Sequence, residues 1–286
     1  MFDRAGNLPL ADGRQDLRAD CSHCAGLCCV APAFTKSADF ALSKPAGRAC
    51  PNLGADFSCG IHDTLRQQGF PGCAVFDCFG AGQHVTQVTF EGSDWRGTPA
   101  IATSMFTVFT VMRQLHELLW YLAEALTLLP TGPLHDELQH RREETARLTE
   151  GGRDELACFD AAAYRQEVGP LLERVSQVVR AEFTHRGPDR RGADLIGADL
   201  RGADLRGASL RGTYLLGADL RRADLRRTDL LGADLRAAKL HAAELKEGLF
   251  LTQPQLDAAL GDASTTIPSS LVRPRHWSTS VPPADS

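Results

Sequence analysis

Residues 191–245 read RGADLIGADLRGADLRGASLRGTYLLGADLRRADLRRTDLLGADLRAAKLHAAEL. Leu stands at every fifth position from Leu195 to Leu245, making eleven units, and Ala or Thr stands two residues before each. A period of five suits neither regular element. On an α-helix five residues advance about 500°, so the leucines spiral round without forming a stripe. On a flat strand an odd period throws successive leucines to opposite faces. The pattern makes sense when the chain turns a corner every five residues. Ala and Leu then share the inward side, and the Asp and Arg flanking Leu face out. Gly suits the corners because it tolerates unusual φ.

The units A-(D/N)-L-x-x from Ala193 to Leu245 resemble the pentapeptide-repeat family. That resemblance implies a right-handed, four-sided β-helix with four pentapeptides per coil and Leu stacked inside. Ser209, Thr213, Tyr214, Thr228, Lys239 and Glu244 depart from the consensus, and none removes a central Leu. The following LFLTQPQLDAALG (249–261) offers Thr252 as N-cap and Gly261 as C-cap of a short helix covering the end of the solenoid.

Some members of that family are DNA mimics that bind type II topoisomerases. Two quantities argue against that role. Fewer than three coils at about 4.8 Å each make a rod of about 13 Å, or about four base-pair rises. Residues 189–247 carry ten acidic and twelve basic side chains, without the dense negative charge that imitates DNA. Residues twenty apart stack, so Ile196 and Leu216 become neighbours beside Tyr214, with Leu231 on the adjoining face. Outward apolar residues on a polar solenoid mark a surface for a protein partner, a second copy or the chain's own helices.

Eight of the nine cysteines lie between Cys21 and Cys78: Cys21-x2-Cys24-x3-Cys28-Cys29, then Cys50, Cys59, Cys73 and Cys78. Thiols at C-x-x-C spacing reach one metal from a single turn, and a distant second pair closes the shell around zinc or an iron–sulfur cluster. Adjacent Cys28 and Cys29 do not easily point to one place; they serve two metals, or one is structural. His62 stands at C-x-x-H spacing from Cys59 and joins the candidate ligands, whereas His23 and His84 are expected to hydrogen-bond locally or face solvent. The alternative reading is disulfide-based redox sensing. Residues 18–80 also resemble the CxxCxxCC cysteine-cluster family, described as zinc- or iron-chelating and sometimes as iron–sulfur proteins. Here three residues rather than two separate Cys24 from Cys28, and Phe70-Pro71 replaces the family's Arg-Pro.

Around these features the 286 residues divide into a polar, loose segment (1–20), a cysteine-cluster metal-binding domain (21–97), a helical region (98–186), the β-helix (190–247), a capping helix (248–261) and a disordered tail (262–286), a multidomain α+β chain. A strand is expected at His84–Phe90, where β-branched residues concentrate. Helices are expected over 104–129, 134–149 and 154–183, the last kinked or split by Pro170. Cys158 is expected in their core. Net charge of −5 provides no basic field, so nucleic acid is not an expected partner. The charged N-terminus and the charges within 101–129 read as a cytoplasmic protein without a membrane span, and the excess of Arg over Lys fits a GC-rich bacterial genome. No phosphate loop, G-x-S-x-G or H-E-x-x-H occurs; FGAGQHV (79–85) is the nearest glycine-rich stretch, so an enzyme is not expected. The expected function is a zinc- or iron–sulfur-binding interaction or regulatory protein built on a short solenoid. An iron–sulfur electron carrier is the alternative.

Overall fold

A computed structural model describes residues 13–182 and 187–278, and the chain forms two compact units. The first contains residues up to Cys73 and Asp77–Leu172; the second contains Ala74–Phe76 and Glu173 onward. The cysteine region and the expected helical region therefore belong to one unit instead of two domains.

In the first unit, α4 (Ala102–Leu128) is the hub, packed against α5 (Pro133–Thr149) and α6 (Arg153–Cys158). Met105, Val108, Met112, Leu115 and Leu122 recur at helical spacing and are fully buried, and Trp120 and Tyr121 bury the flanks as well. Helix α5 is charge-laced and hides little beyond Leu138, Thr145 and Thr149. The expected third helix breaks after Cys158 and resumes as α7 (Ala161–Ala181), capped by Asp160, whose carboxylate accepts from the amides of Ala162 and Ala163. Pro170 lies within α7 without splitting it. Cys158 is exposed, contrary to its expected place in the core.

The cysteine loops contain only short turns: α1 (Leu27–Val30), α2 (Pro71–Ala74) and α3 (Ala81–His84), the last running on as a wider helical turn over Val85–Thr89. The strand expected at His84–Phe90 is thus helical. Tertiary bonding overrides the β-branched propensity here. Thr86 Oγ1 donates to Gly82 O (2.8 Å) and accepts from the Ala25 amide (3.1 Å). Gln83 Nε2 donates to Arg18 O and Gln87 Nε2 to His23 O, so one helical face clasps the backbone of the first cysteine loop. Residues 13–20 are ordered, with Arg14 and Leu17 buried; positions 1–12 lie outside the described residues.

The second unit is the solenoid. Parallel bridges join Asp189 to Ser209, Asp194 to Tyr214, Asp199 to Asp219, Asp204 to Asp224 and so on to Asp229 and Leu249, always twenty residues apart. Four five-residue sides per coil follow from that register. At each corner the amide two residues before a Leu donates to the preceding Leu carbonyl, as Ala198 does to Leu195 (3.1 Å). Gly197, Gly202 and Gly212 hold the positive φ that such turns require, but Arg222, Arg227, Ala237 and Ala242 hold it without being glycine. Leu205 to Leu245 are buried, and so are the paired Ala from Ala208 on. Where Thr replaces the inward Ala, its hydroxyl caps a carbonyl of the neighbouring coil: Thr213 to Arg190 O, Thr228 to Leu205 O.

After Leu245 the register loosens. Phe250 takes the next Leu position, fully buried, and α8 (Gln253–Ala258) starts from a capping box between Thr252 and Gln255. Its C-cap is Ala259, not Gly261. The chain then resumes coiling, with Leu260 paired to Lys239 and Thr266 to Glu244, at 21- and 22-residue spacings. Trp277 is buried over this end and donates through Nε1 to Ala259 O (3.0 Å). Residues 262–278 thus finish the cap, where a disordered tail was expected; 279–286 lie outside the described residues.

The C-terminal part of α7 docks on the Ser209–Asp229 side of this solenoid. Glu173 meets Arg191 (2.8 Å) and Arg211 (3.3 Å), Arg211 reaches the fully buried Asp229 (3.0 Å), and Arg180 Nη1 donates to Gly207 O. Leu216 and Leu231 are half-buried, while Ile196 and Tyr214 remain 56% and 54% exposed.

Candidate metal centre

The first cysteine turn is shaped by Asp20. Its carboxylate accepts from the Ser22 amide (3.0 Å) and engages His23 Nδ1 (2.7 Å), so His23 hydrogen-bonds locally, as expected. Gly26, at φ +65°, then reverses the chain into α1; a methyl group there would stand 2.8 Å from Leu53 Cδ1 and 3.1 Å from Phe57 O. Trp95 Nε1 donates to Ala25 O (2.8 Å), and the Arg96 guanidinium stacks on Phe57 and Trp95 while donating to Gly54 O and Ala55 O. These contacts lock the second cysteine loop to the first.

None of the eight clustered cysteines forms a disulfide. Cys21, Cys24, Cys28 and Cys78 line one small cavity together with Gly82 and Phe109. Gly82 is central to it: a β-carbon there would press to 2.7 Å from Cys24 Sγ and lie 3.8 Å from Cys78 Sγ. On the other side, the Cys50 amide donates to Cys29 O (2.9 Å), and Leu53 bridges to Cys59. Cys29 and Cys59 lie near enough for each thiol to shift the other, and Cys73 lies close enough to Cys50 and Cys59 to feel their charge. Cys28 Sγ and Cys29 Sγ are 3.9 Å apart.

Burial pushes the Cys24 thiol up, Cys73 up to about 11 and Cys78 up to about 12. Cys29 is raised chiefly by its contact with the Cys28 thiol, and Cys59 by its contact with Cys29. Crowded, half-buried thiols repel a second negative charge, so without a cation they keep their protons. Among the described residues, no three His, Cys, Asp or Glu side chains stand grouped as an ion would hold them. His62 sits half-exposed on a short turn, its Nδ1 4.0 Å from Asp63.

Two residues at this site escaped the sequence reading. Gly82 lies in the glycine-rich FGAGQHV, whose spacing fits no phosphate loop; the second glycine instead leaves space for sulfur. Lys44 is 3% exposed, and its Nζ donates to Val30 O (2.9 Å), Arg48 O (2.8 Å) and Pro45 O (3.2 Å). Its charge is felt by Cys50, Cys29 and Cys73, and burial lowers its pKa. Nothing in the sequence sets Lys44 apart from Lys36 in the same loop.

Comparison with known proteins agrees with the solenoid. The Pentapeptide repeats family matches in 8 copies over residues 191–227 and 203–241. The uncharacterized protein YybG of Bacillus subtilis (strain 168) is 53% identical over 265 residues, 92% of this chain and 95% of YybG. Among solved structures, a pentapeptide repeat protein from the Arabidopsis thaliana thylakoid lumen is 32% identical over 31% of this chain and 60% of its own, with a TM-score of 0.22. One from Nostoc PCC 7120 is 35% identical over 30% of this chain and 73% of its own, with a TM-score of 0.20. Among the described residues no helix is long and apolar enough to cross a membrane. The chain thus carries pentapeptide repeats over residues 191–241, and with a relative matching nearly end to end it belongs to one family with YybG.

Proposed function

We propose that this is a thiolate metal-binding protein in which the solenoid supplies a scaffold for a protein partner. The observation that carries the reading is that eight cysteines without a disulfide lie in one compact unit, with Cys21, Cys24, Cys28 and Cys78 lining one small cavity. The donor set fits a thiophilic ion: thiolates suit zinc or an iron–sulfur cluster. Gly82 keeps clear the space that a side chain would take from Cys24 and Cys78. Binding would release thiol protons to solvent. Zinc is the closest match to the donor set; bound there, it would tie the loops together and stabilise the unit. Cys21, Cys24, Cys28, Cys29, Cys50, Cys59, Cys73 and Cys78 are the residues that would serve.

The partner surface rests on Ile196 and Tyr214, which stay exposed while α7 takes the neighbouring side. Cytoplasmic residence accords with so many free thiols, since reducing compartments keep them unpaired. Metal analysis with an absorbance spectrum, on protein purified without oxygen, tests the metal reading. Stoichiometric zinc without colour supports it. Iron with acid-labile sulfide replaces it with the electron-carrier reading, and metal-free protein with oxidisable thiols ends both.

A further inference from the structure

The two ends of the solenoid are finished differently. One is closed by α8 and the buried Trp277. At the other, the core lies open. In the second coil Thr213, Leu215, Ala218 and Leu220 are fully buried. Their counterparts twenty residues earlier, Ala193, Leu195, Ala198 and Leu200, are only half-buried. Farther along the first coil Leu205, Ala208 and Leu210 are buried again, so the opening is confined to the two sides that carry Asp194 and Asp199. Resting on the solenoid as a partner scaffold, and independent of the metal reading, we infer that this open end pairs with the same end of a second copy of the chain.

The backbone is open in the same place. Tyr214 donates its amide to Ala193 O (3.0 Å) and accepts at its carbonyl from the Leu195 amide (2.9 Å). Asp219 does the same with Ala198 O (2.9 Å) and the Leu200 amide (2.8 Å). The equivalent amides and carbonyls of Asp194 and Asp199 have no backbone partner among the described residues. In an extended strand the N–H and C=O of one residue point the same way, so each Asp presents a donor and an acceptor past the end of the stack. Such an edge is a template for another strand.

The occupant that fits is a second copy. An antiparallel neighbour exchanges both bonds with a single residue, and a two-fold axis supplies that neighbour from the same patch. Asp194 of one copy then faces Asp199 of the other, and the reverse, while the half-buried Ala and Leu meet their own equivalents. Exposed Ile196 extends the apolar contact at the rim. Residues 189–206 carry four acidic and four basic side chains, a balanced rim that suits its own copy better than a polyanion or an acidic peptide. Arg201 holds Asp199 through Nε (2.9 Å) and Nη2 (2.7 Å), which offsets the approach of two carboxylates across the pair. Each side of a coil spans about 10 Å, three extended residues at about 3.3 Å, so the contact is smaller than the about 800 Å² per partner of a standard interface. The pair should therefore dissociate on dilution.

The test is sedimentation velocity of the full chain over a range of concentrations, with hydrogen exchange of residues 191–203 measured alongside. A monomer–dimer equilibrium is expected, and exchange of the 191–203 amides should slow as the dimer forms. Asp194→Pro with Asp199→Pro removes two edge donors that no backbone bond within the chain uses. It should weaken association about tenfold or more and leave exchange protection at the α8 end unchanged. A wild-type chain that stays monomeric overturns the inference and leaves the solenoid to a different partner. A dimer whose 191–203 amides exchange at the monomer's rate, and which Tyr214→Asp breaks instead, also overturns it but upholds the apolar face as the partner surface. The wild-type exchange pattern decides even where the proline variant fails to fold.

Discussion

Gly82 stands so close to Cys24 that a single added carbon would lie 2.7 Å from its sulfur. The position is helical and needs no positive φ, so its glycine is required by space alone. Gly82→Ala should therefore leave the backbone of α3 intact but push Cys24 aside. Overpacking of this kind costs about 1–3 kcal/mol. Under the proposed function the variant should bind less metal than the wild type. Metal content alongside far-ultraviolet circular dichroism checks both halves of that expectation.

The corners of the solenoid give the opposite case. Around Gly197 nothing lies within 4 Å of an added β-carbon, yet its φ is +65°. Gly197→Ala should cost about 1 kcal/mol from conformation alone, and Ala237→Gly or Ala242→Gly should gain a similar amount, because those alanines already hold φ near +56°. Urea unfolding followed through the solenoid's transition measures each shift.

Asp229 is fully buried and depends on Arg211. Arg211→Ala leaves that carboxylate in the interior without its ion pair, which costs about 3–5 kcal/mol. The outward pairs behave differently. Asp199 with Arg201 is exposed on both sides, and Asp199→Ala should shift the midpoint far less than Arg211→Ala. Comparing the two variants by urea denaturation separates the buried link from the exposed ladder.

The ladder also fixes the acid response. Hydrogen bonds from Arg201 hold Asp199 down to about 2, and those from Arg206 hold Asp204 down to about 2. These carboxyls are depressed in the folded state, so their contribution is present above the ordinary carboxylate pKa near 4 and is lost as pH falls from 4 toward 2. Unfolding midpoints of the solenoid should fall over that window, and less steeply in 1 M salt, which screens exposed pairs.

Much of the solenoid was legible because each unit carries its own instructions. Leu marks the inside, Gly the corner, and the bond from one coil to the next repeats every twenty residues. Legibility stopped where the register did. The 21- and 22-residue spacings of Leu260 and Thr266 hide the last coil, and a Ser, Thr and Pro-rich stretch ending in Trp277 resembles a tail until its packing is seen. His84–Phe90 misled for a related reason: Val85, Thr86 and Val88 favour a strand, but bonds from Gln83, Thr86 and Gln87 to a loop more than sixty residues away decide the matter. The cysteines were visible as a group. How their loops are joined was not, because it depends on contacts such as the Cys50 amide to Cys29 O that spacing does not encode. Cys158, apolar by type, lies exposed on α6.

Trp277 anchors the cap. Its ring is buried against Gly261, where a β-carbon would stand 2.7 Å from the indole, and its N–H is satisfied by Ala259 O. Trp277→Ala should cost about 3–5 kcal/mol, and it should lower the solenoid's unfolding midpoint without altering metal content.

Native mass spectrometry of the full chain, expressed with zinc and purified without oxygen, tests the central claim most directly. The account predicts a mass equal to the polypeptide plus bound zinc, with the clustered thiols protected from alkylation until the metal is removed. A chain at its metal-free mass, with all nine cysteines alkylated at once, would contradict it.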